Sequence, residues 1–148
     1  MPSLMPMPTQ SSERFRSWEA LADKTDNELR QVFAAALREH PARGKVALLA
    51  VGGYGRRELA PFSDLDVLLV HDKKPLDPAF AQALWYPLWD SGHKVGHAVR
   101  TLRETVSMVR EDLDTATSIV TARVVAGDVG FGEKVIAKSL AALRRRSG

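Results

Sequence analysis

The chain has 148 residues, a length typical of one domain and too short for two domains with separate cores. Hydrophobic residues make up 45% and charged residues 26%, which excludes a wholly disordered or fibrous protein. The net charge of +3 is too small to indicate nucleic acid as a partner, and the absence of cysteine excludes disulfides, thiolate zinc sites and cysteine nucleophiles.

The N-terminal residues 1–12 are rich in proline and have no basic stretch before an apolar core, so they predict a flexible tail and not a secretion signal. No apolar run approaches the roughly 18 residues that a membrane-spanning helix needs. The longest run, from Val46 to Val51, has the length of a strand. We therefore expect a cytoplasmic protein with no membrane partner.

The first predicted element is a helix that begins near Glu13, with Ser11 or Ser12 as its cap. Its apolar and aromatic residues recur with helical spacing, which is typical of side chains packed in a core. The polar stretch 23–27 is expected to bend or break the helix. The helix should end at His40, because the residue before a proline is displaced from the helical region of backbone conformation.

The middle of the chain alternates between apolar runs and segments rich in glycine or proline. Three strands and two helical segments are predicted there: a strand at 45–51, a short helical turn at 56–59, a strand at 63–70, a helix at 77–90 with a kink at Pro87, and a strand at 94–100.

The last third of the chain predicts three helices. Thr101 and Glu104 have the spacing of a capping box, and the helix that they start should run to about Arg110. Two further helices are predicted at 114–126 and 131–145. The elements together indicate a mixed α/β or α+β class with a small sheet.

A glycine pair, Gly52 and Gly53, follows the first strand. Glycine has no Cβ, so such a turn lets a bulky anion approach the backbone N–H groups closely. Arg56 and Arg57 follow within one turn and are candidates for charge-assisted contacts to a phosphate. The alternative is a structural turn with no ligand.

Two aspartates, Asp64 and Asp66, precede the apolar run 67–70. Residues two apart on a strand project from the same face, so their carboxylates should lie side by side and repel each other. A hard divalent cation such as Mg²⁺ prefers such oxygen ligands. The alternative is a solvated entrance to the strand, which the buried run directly after it disfavours.

The combined segment VALLAVGGYGRRELAPFSDLDVLLV, residues 46–70, resembles the nucleotidyltransferase superfamily that includes DNA polymerase β. That superfamily combines a Gly-Gly or Gly-Ser turn with two acidic residues flanking one other residue. In more detail the segment resembles the N-terminal domain of bacterial uridylyltransferases that modify the nitrogen-signalling protein PII. Residues 89–104 and 114–128 resemble later blocks of that domain, so the match covers roughly residues 45–130.

The resemblance implies a small mixed sheet flanked by helices, and transfer of UMP from UTP to a tyrosine of a PII-type protein with release of pyrophosphate. It also implies Mg²⁺ as cofactor and a role in nitrogen regulation. Ser63 is expected either to contact a phosphate or to cap the strand. The site residues that it implies are Asp64 and Asp66 for catalysis and metal binding, and Gly52, Gly53, Arg56 and Ser63 for the nucleotide and its phosphates.

The chain departs from the superfamily pattern at the third carboxylate, which commonly lies on a neighbouring strand. The matching strand, 94–100, contains no acid. It carries His97, which we expect in the core or behind the metal ligands and not on the metal. Asp112, Asp114 and Asp128 are other candidate acids, and their spacing does not choose among them. A further departure is Arg57, at a position that is often glycine in this branch.

The full enzymes are several times longer, with a phosphohydrolase domain that removes UMP and domains that sense small molecules. We therefore expect a fragment of a multifunctional enzyme, with a tail at 1–12, a nucleotidyltransferase domain at 13–130 and a C-terminal helix at 131–148 leading to absent domains. The arginines at 144–146 are expected to form a solvated helix end and not a nucleic-acid contact. Two alternatives stay open: a stand-alone nucleotidyltransferase with a small molecule, tRNA or antitoxin as acceptor or partner, and a nucleotide-binding module without turnover.

Overall fold

The computed structural model describes residues 10–59, 63–73 and 76–146. Helices and strands alternate along most of this length. The elements are α1 (Gln10–Glu39), β1 (Val46–Ala50), α2 (Gly52–Gly55), β2 (Leu65–His71), α3 (Pro78–Asp90), β3 (Val95–Thr101), α4 (Leu102–Glu111), α5 (Leu113–Ile119), β4 (Arg123–Gly127) and α6 (Val129–Arg146).

The four strands form one mixed sheet in the order β3-β2-β1-β4. β1 pairs antiparallel with both β2 and β4, whereas β2 and β3 are parallel and are joined through α3. One face of the sheet packs against α1 and α3, and the other face packs against α4, α5 and α6. The predicted fold class, a small mixed sheet flanked by helices, is confirmed.

β2 is buried on both faces, which explains its continuous apolar sequence. Val67 and Leu69 belong to the core under α1 and α3. Leu68 and Val70 belong to the core under α4, α5 and α6. Asp66 is the residue of β2 that is neither apolar nor fully buried. A carboxylate at such a position in a buried strand indicates a chemical role and not a packing role.

The first helix is continuous from Gln10 to Glu39, so the predicted break at residues 23–27 is wrong. The polar side chains there find partners that are compatible with a helix. The Thr25 hydroxyl donates to the Leu21 carbonyl at 2.8 Å, and Asp26 is buried against β4 and α2. Residues 10–12, placed in the predicted tail, belong to α1, and the rest of that tail lies outside the described residues.

The predicted helix at 114–126 is wrong in its second half. α5 ends at Ile119, and residues 123–127 form the edge strand β4. Pairing with β1 overrides the local helical pattern here, as tertiary context often does. Gly127 has a φ of +91°, and a Cβ atom there would lie 2.5 Å from the Val46 carbonyl, so the chain turns tightly out of the sheet at this glycine.

Other boundaries lie near their predicted places. The helical turn predicted at 56–59 is replaced by α2, which begins four residues earlier, at Gly52. The capping box is confirmed: the Glu104 amide donates to the Thr101 hydroxyl at 3.1 Å, and the Thr101 amide donates to the Glu104 carboxylate at 2.8 Å. None of the helices described between residues 10 and 146 is long and apolar enough to cross a bilayer.

Candidate functional site

The glycine turn connects the end of β1 to the short helix α2. Gly52 has a φ of +59°, a conformation that residues with a Cβ rarely adopt. The N–H of Val51, just before it, donates to the main-chain carbonyl of Asp66 at 3.1 Å. The first N–H groups of a helix have no carbonyl partner within the helix, so this turn presents donors beside Asp66.

The carboxylate of Asp66 lies between two glycines. A Cβ atom at Gly52 would be 3.5 Å from Oδ2 of Asp66, and one at Gly96 would be 2.5 Å from Oδ1. Gly96 is the partner of Asp66 in the β2–β3 register. The position next to Asp66 on the neighbouring strand therefore carries no acid and leaves no room for any side chain unless Asp66 moves.

Asp64 lies immediately before β2 and is exposed, whereas Asp66 is half-buried within the strand. Burial raises the pKa of Asp66 above its ordinary value, and the negative charge of Asp64 raises it further. Asp64 and Asp66 are separated by one residue at the start of β2, so their carboxylates can approach a common ion. Two carboxylates so placed, that of Asp66 held between glycines, fit a hard divalent cation.

This pKa shift predicts a pH-dependent effect of Asp66→Asn on the metal-free protein. Because the folded pKa is raised above the ordinary value of 3.8, the folded state binds the proton more tightly than the unfolded chain does. The stability that this group contributes is complete below the unfolded pKa and is lost as the pH rises through the folded pKa.

Asp66→Asn should therefore be more stable than the wild type at neutral pH, and the difference should shrink in acid. Urea unfolding in EDTA across the pH range measures this, with the exposed Asp90→Asn as control. A wild type more stable than Asp66→Asn at neutral pH would show that burial and the charge of Asp64 do not disfavour the ionised Asp66 carboxylate.

A cleft of about 320 Å³ opens beside Asp66, between the β2–β3 part of the sheet and α5. Asp66, Gly96 and Arg100 line it from the sheet. Arg100 is half-buried, and its guanidinium makes no hydrogen bond or ion pair to any other residue that the structure describes. The cleft thus holds the Asp66 carboxylate on one strand and the Arg100 guanidinium on the next. From α5 it is lined by Asp114, Thr115, Ser118 and Ile119.

The three other candidate acids have different surroundings. Asp114 lines the cleft. Asp112 caps α5 by accepting from the Asp114 amide at 3.2 Å, and Asp128 accepts from the Phe131 amide at 2.9 Å at the start of α6. Within the described residues, no three Asp, Glu or His side chains come together closely enough to hold a metal ion.

His97 lies on the face of β3 opposite to the one that meets Asp66, because neighbouring residues of a strand alternate between faces. Its ring packs against Trp85 and Trp89, with centroid distances of 4.8 and 5.5 Å. The side chain is exposed, so the expectation of a core position is wrong, whereas its orientation away from the face that carries Asp66 agrees with the sequence analysis.

The basic residues after the turn have partners of their own. Arg56 is exposed and pairs with Glu58 at 3.1 Å. Its guanidinium lies close to the turn, because a Cβ atom at Gly53 would be 3.5 Å from it. Arg57 has a φ of +61°, which explains why glycine suits this position, and it pairs with Asp23. Arg56 thus lies beside the turn but outside the cleft.

Among the residues assigned from sequence, the structure brings Gly52 and Asp66 together, with Gly53 next in the turn and Asp64 nearby. Ser63 is exposed before β2. Sequence reasoning missed Arg100, although its alternation with Gly96 along the third strand already placed both on one face. It also missed the part of the cleft formed by α5, which depends on packing that no local motif signals.

Comparison with known proteins identifies the family of this chain. Residues 10–116 match the family described as "Putative nucleotidyltransferase DUF294". The chain is 45% identical over 114 residues to a bifunctional uridylyltransferase/uridylyl-removing enzyme of Streptomyces coelicolor, a match that covers 76% of this chain and 13% of that enzyme.

A Mycobacterium tuberculosis enzyme of the same name is 51% identical over 84 residues, covering 55% of this chain and 10% of the enzyme. One of Caulobacter vibrioides is 46% identical over 97 residues, covering 64% of this chain and 10% of the enzyme. The chain thus spans between 10% and 13% of the length of these relatives.

Among solved structures, a toxin–antitoxin crystallised with AMP-PNP superposes with a TM-score of 0.51 at 12% identity, over 78% of this chain and 87% of that one. At that identity the likeness concerns the fold alone. The family match covers most of the chain and includes both the glycine turn and the aspartates, so this protein belongs to the DUF294 nucleotidyltransferase family.

Proposed function

We propose that the chain transfers UMP from UTP to a tyrosine hydroxyl of a PII-type signalling protein, as part of a bifunctional uridylyltransferase/uridylyl-removing enzyme. The observation that carries the proposal is the meeting of the glycine turn with Asp66 at the mouth of a cleft. The names of the relatives support uridylyl transfer. Residues 13–130 would form the transferase domain, and the helix after them would lead towards further domains.

In the proposed reaction the acceptor oxygen forms a bond to the α-phosphorus of UTP while the bond from that phosphorus to the bridging oxygen breaks. Pyrophosphate leaves with the electron pair, and the hydroxyl proton passes to solvent. The amides of Gly52 and Gly53 bind phosphate oxygens, and Arg100 neutralises negative charge elsewhere in the cleft. Positioning and charge neutralisation supply most of the rate gain in this kind of chemistry.

Asp64 and Asp66 are the residues that would hold Mg²⁺, since they offer close carboxylate oxygens and repel each other without a cation. When bound, the metal ion supplies neutralisation of the triphosphate and lowers the charge barrier to attack. Asp66 is fixed by its strand, whereas the exposed Asp64 is free to adjust its side chain.

The direct test is release of pyrophosphate from UTP by this chain, with and without a PII-type protein. The expected result is release that requires both the acceptor and Mg²⁺ and that falls when UTP is replaced by ATP or CTP. Release with ATP but not UTP would overturn the choice of nucleotide, and release without the PII-type protein would overturn the choice of acceptor.

A nucleotide-binding module without turnover is the second candidate. Its support is the lack of a third acid beside Asp66, where Gly96 stands, and of any three-residue metal cluster in the described parts of the chain. Calorimetric binding of Mg·UTP with no product under any acceptor condition would favour this reading over transfer.

Gly53→Val is expected to weaken UTP binding by about tenfold or more, equivalent to about 1.4 kcal/mol, while changing stability little. A Cβ atom at Gly53 meets only ordinary contacts in the fold, at 3.5 and 3.9 Å, but the added methyl groups would stand where phosphate approaches the amides. The dissociation constant for UTP and the urea midpoint measure the two effects. Gly130→Val, in the first turn of α6, is the matched control, and equal UTP affinity in both variants would remove the phosphate role of the turn.

A further inference from the structure

Three buried or half-buried polar residues from distant parts of the chain meet under the glycine turn. Asp26 of α1 is 3% exposed and Tyr54 of α2 is 1% exposed. The Tyr54 hydroxyl donates to Oδ1 of Asp26 at 2.5 Å. Arg123 of β4 donates to both carboxylate oxygens, at 2.6 and 3.1 Å. We refer to these three residues as the Tyr54–Asp26–Arg123 cluster.

Arg123 also binds the main chain of α2. Its guanidinium donates to the Tyr54 carbonyl at 3.0 Å and to the Gly55 carbonyl at 3.2 Å, and it lies 5.0 Å from the centre of the Tyr54 ring. The last carbonyls of a helix lack partners within the helix and carry partial negative charge, which favours a cation there. One arginine thus fixes the C-terminal end of the helix whose first residues are Gly52 and Gly53.

The turn before β4 restrains α2 at two more points. The Thr121 hydroxyl donates to the Gly52 carbonyl at 3.3 Å. A Cβ atom at Gly55 would lie 2.6 Å from the Thr121 carbonyl and 3.0 Å from the Ala50 carbonyl, so the helix rests directly on neighbouring backbone. On its other side, the Val51 amide ties the turn to the main chain of Asp66 at 3.1 Å. The turn is therefore held between the carboxylate strand and the cluster.

A buried ion pair is a poor way to gain stability, because well-packed apolar residues of similar size often serve as well or better. Here the ionic group instead supplies directed hydrogen bonds to two carbonyls, which apolar side chains cannot do. We propose that the Tyr54–Asp26–Arg123 cluster is a positioning device for nucleotidyl transfer, which sets the Gly52 and Gly53 amides relative to Asp66. The proposal rests on the function proposed above.

The test uses two mild variants, Arg123→Lys and Tyr54→Phe. Lysine keeps the charge but cannot reach two carboxylate oxygens and two carbonyls at once, and phenylalanine removes only the hydroxyl. The matched control is Phe33→Leu, a core change on α1 against Phe80, whose ring centroid is 5.5 Å away. Urea is added to the control until its folded fraction equals that of the variants.

Two readouts separate positioning from stability. The first is steady-state UMP transfer from Mg·UTP, where a misplacement of the order of 1 Å can lower the rate by about 10²-fold. We expect kcat/KM to fall by about tenfold or more in both variants and to stay within about twofold of wild type in the control. The second readout is hydrogen exchange at the Gly55 and Arg56 amides, which bond to Val51 and Gly52. Their exchange should accelerate relative to that of β1 in both variants.

Equal acceleration of exchange in α2 and β1 would overturn the proposal, because the cluster would then act only on the whole fold. Exchange in α2 that stays at the wild-type rate would also overturn it, because the turn would then be ordered without the cluster. A wild-type chain that neither binds nor turns over Mg·UTP would contradict the proposed function instead. In that case the exchange readout still decides whether the cluster holds the turn.

Discussion

Asp66→Asn is expected to lower nucleotidyl transfer by at least about 10²–10³-fold, the range seen when a single preorganised electrostatic group is removed from an active site. Asparagine has nearly the same shape, so the carboxamide should fit between Gly52 and Gly96 and leave the fold intact. What is lost is the negative charge that, in the proposed reaction, would bind the metal ion and, through it, the triphosphate. Pyrophosphate release at saturating Mg·UTP measures the effect.

Asp64→Asn should give a loss of similar size by a related route. Its side chain is exposed, so no packing is lost, and removal of the neighbouring charge should lower the pKa of Asp66 towards its ordinary value. Asp90→Asn, also exposed, is the control and should transfer normally. If either active-site variant kept near-normal transfer, the assignment of the two aspartates would be wrong.

Arg123→Met should cost about 3 kcal/mol of folding free energy, because it leaves the buried carboxylate of Asp26 with only Arg30 as a cation, 3.9 Å away and about half exposed. That is a large part of the roughly 5–15 kcal/mol that holds a typical domain folded. The side chain of methionine fills much of the same volume, so lost packing explains little of the effect. Urea unfolding measures the loss.

The double variant Asp26→Asn with Arg123→Met distinguishes the uncompensated charge from other causes. With the carboxylate neutralised, the double variant should be more stable than Arg123→Met alone, a coupling that a double-mutant cycle quantifies. A loss below about 1 kcal/mol in the single variant would show that Arg30 or water compensates the charge of Asp26.

The parts of the fold that sequence predicted are those with local causes. The capping box needs only Thr101 and Glu104 at their spacing, and β2 needs only an uninterrupted apolar run. β4 was missed because its strand character comes from pairing with β1, far away in the chain. The unbroken α1 was missed for the same reason, since Asp26 is stabilised within the helix by Arg123, which is distant in sequence.

The candidate site divides in the same way. The glycine turn and the aspartates could be recognised because all of them lie within the short segment 46–70. The structure places Gly52 beside Asp66. Arg100 and Asp114 reach the same cleft from β3 and α5, and only the packing of those elements shows it. The space that Gly96 leaves for the Asp66 carboxylate depends on strand register, which a single strand does not reveal.

The hydrogen bond from Arg123 to Gly55 joins residues that are 68 positions apart. During synthesis on the ribosome, β1, β2 and the whole nucleotide motif emerge well before the residue that fixes the end of α2. Closing so long a loop is slow compared with forming a local turn, and proteins rich in such long-range contacts fold slowly. A nascent chain is therefore expected to carry the complete sequence motif before β4 joins the sheet and the Arg123 contacts to α2 can form.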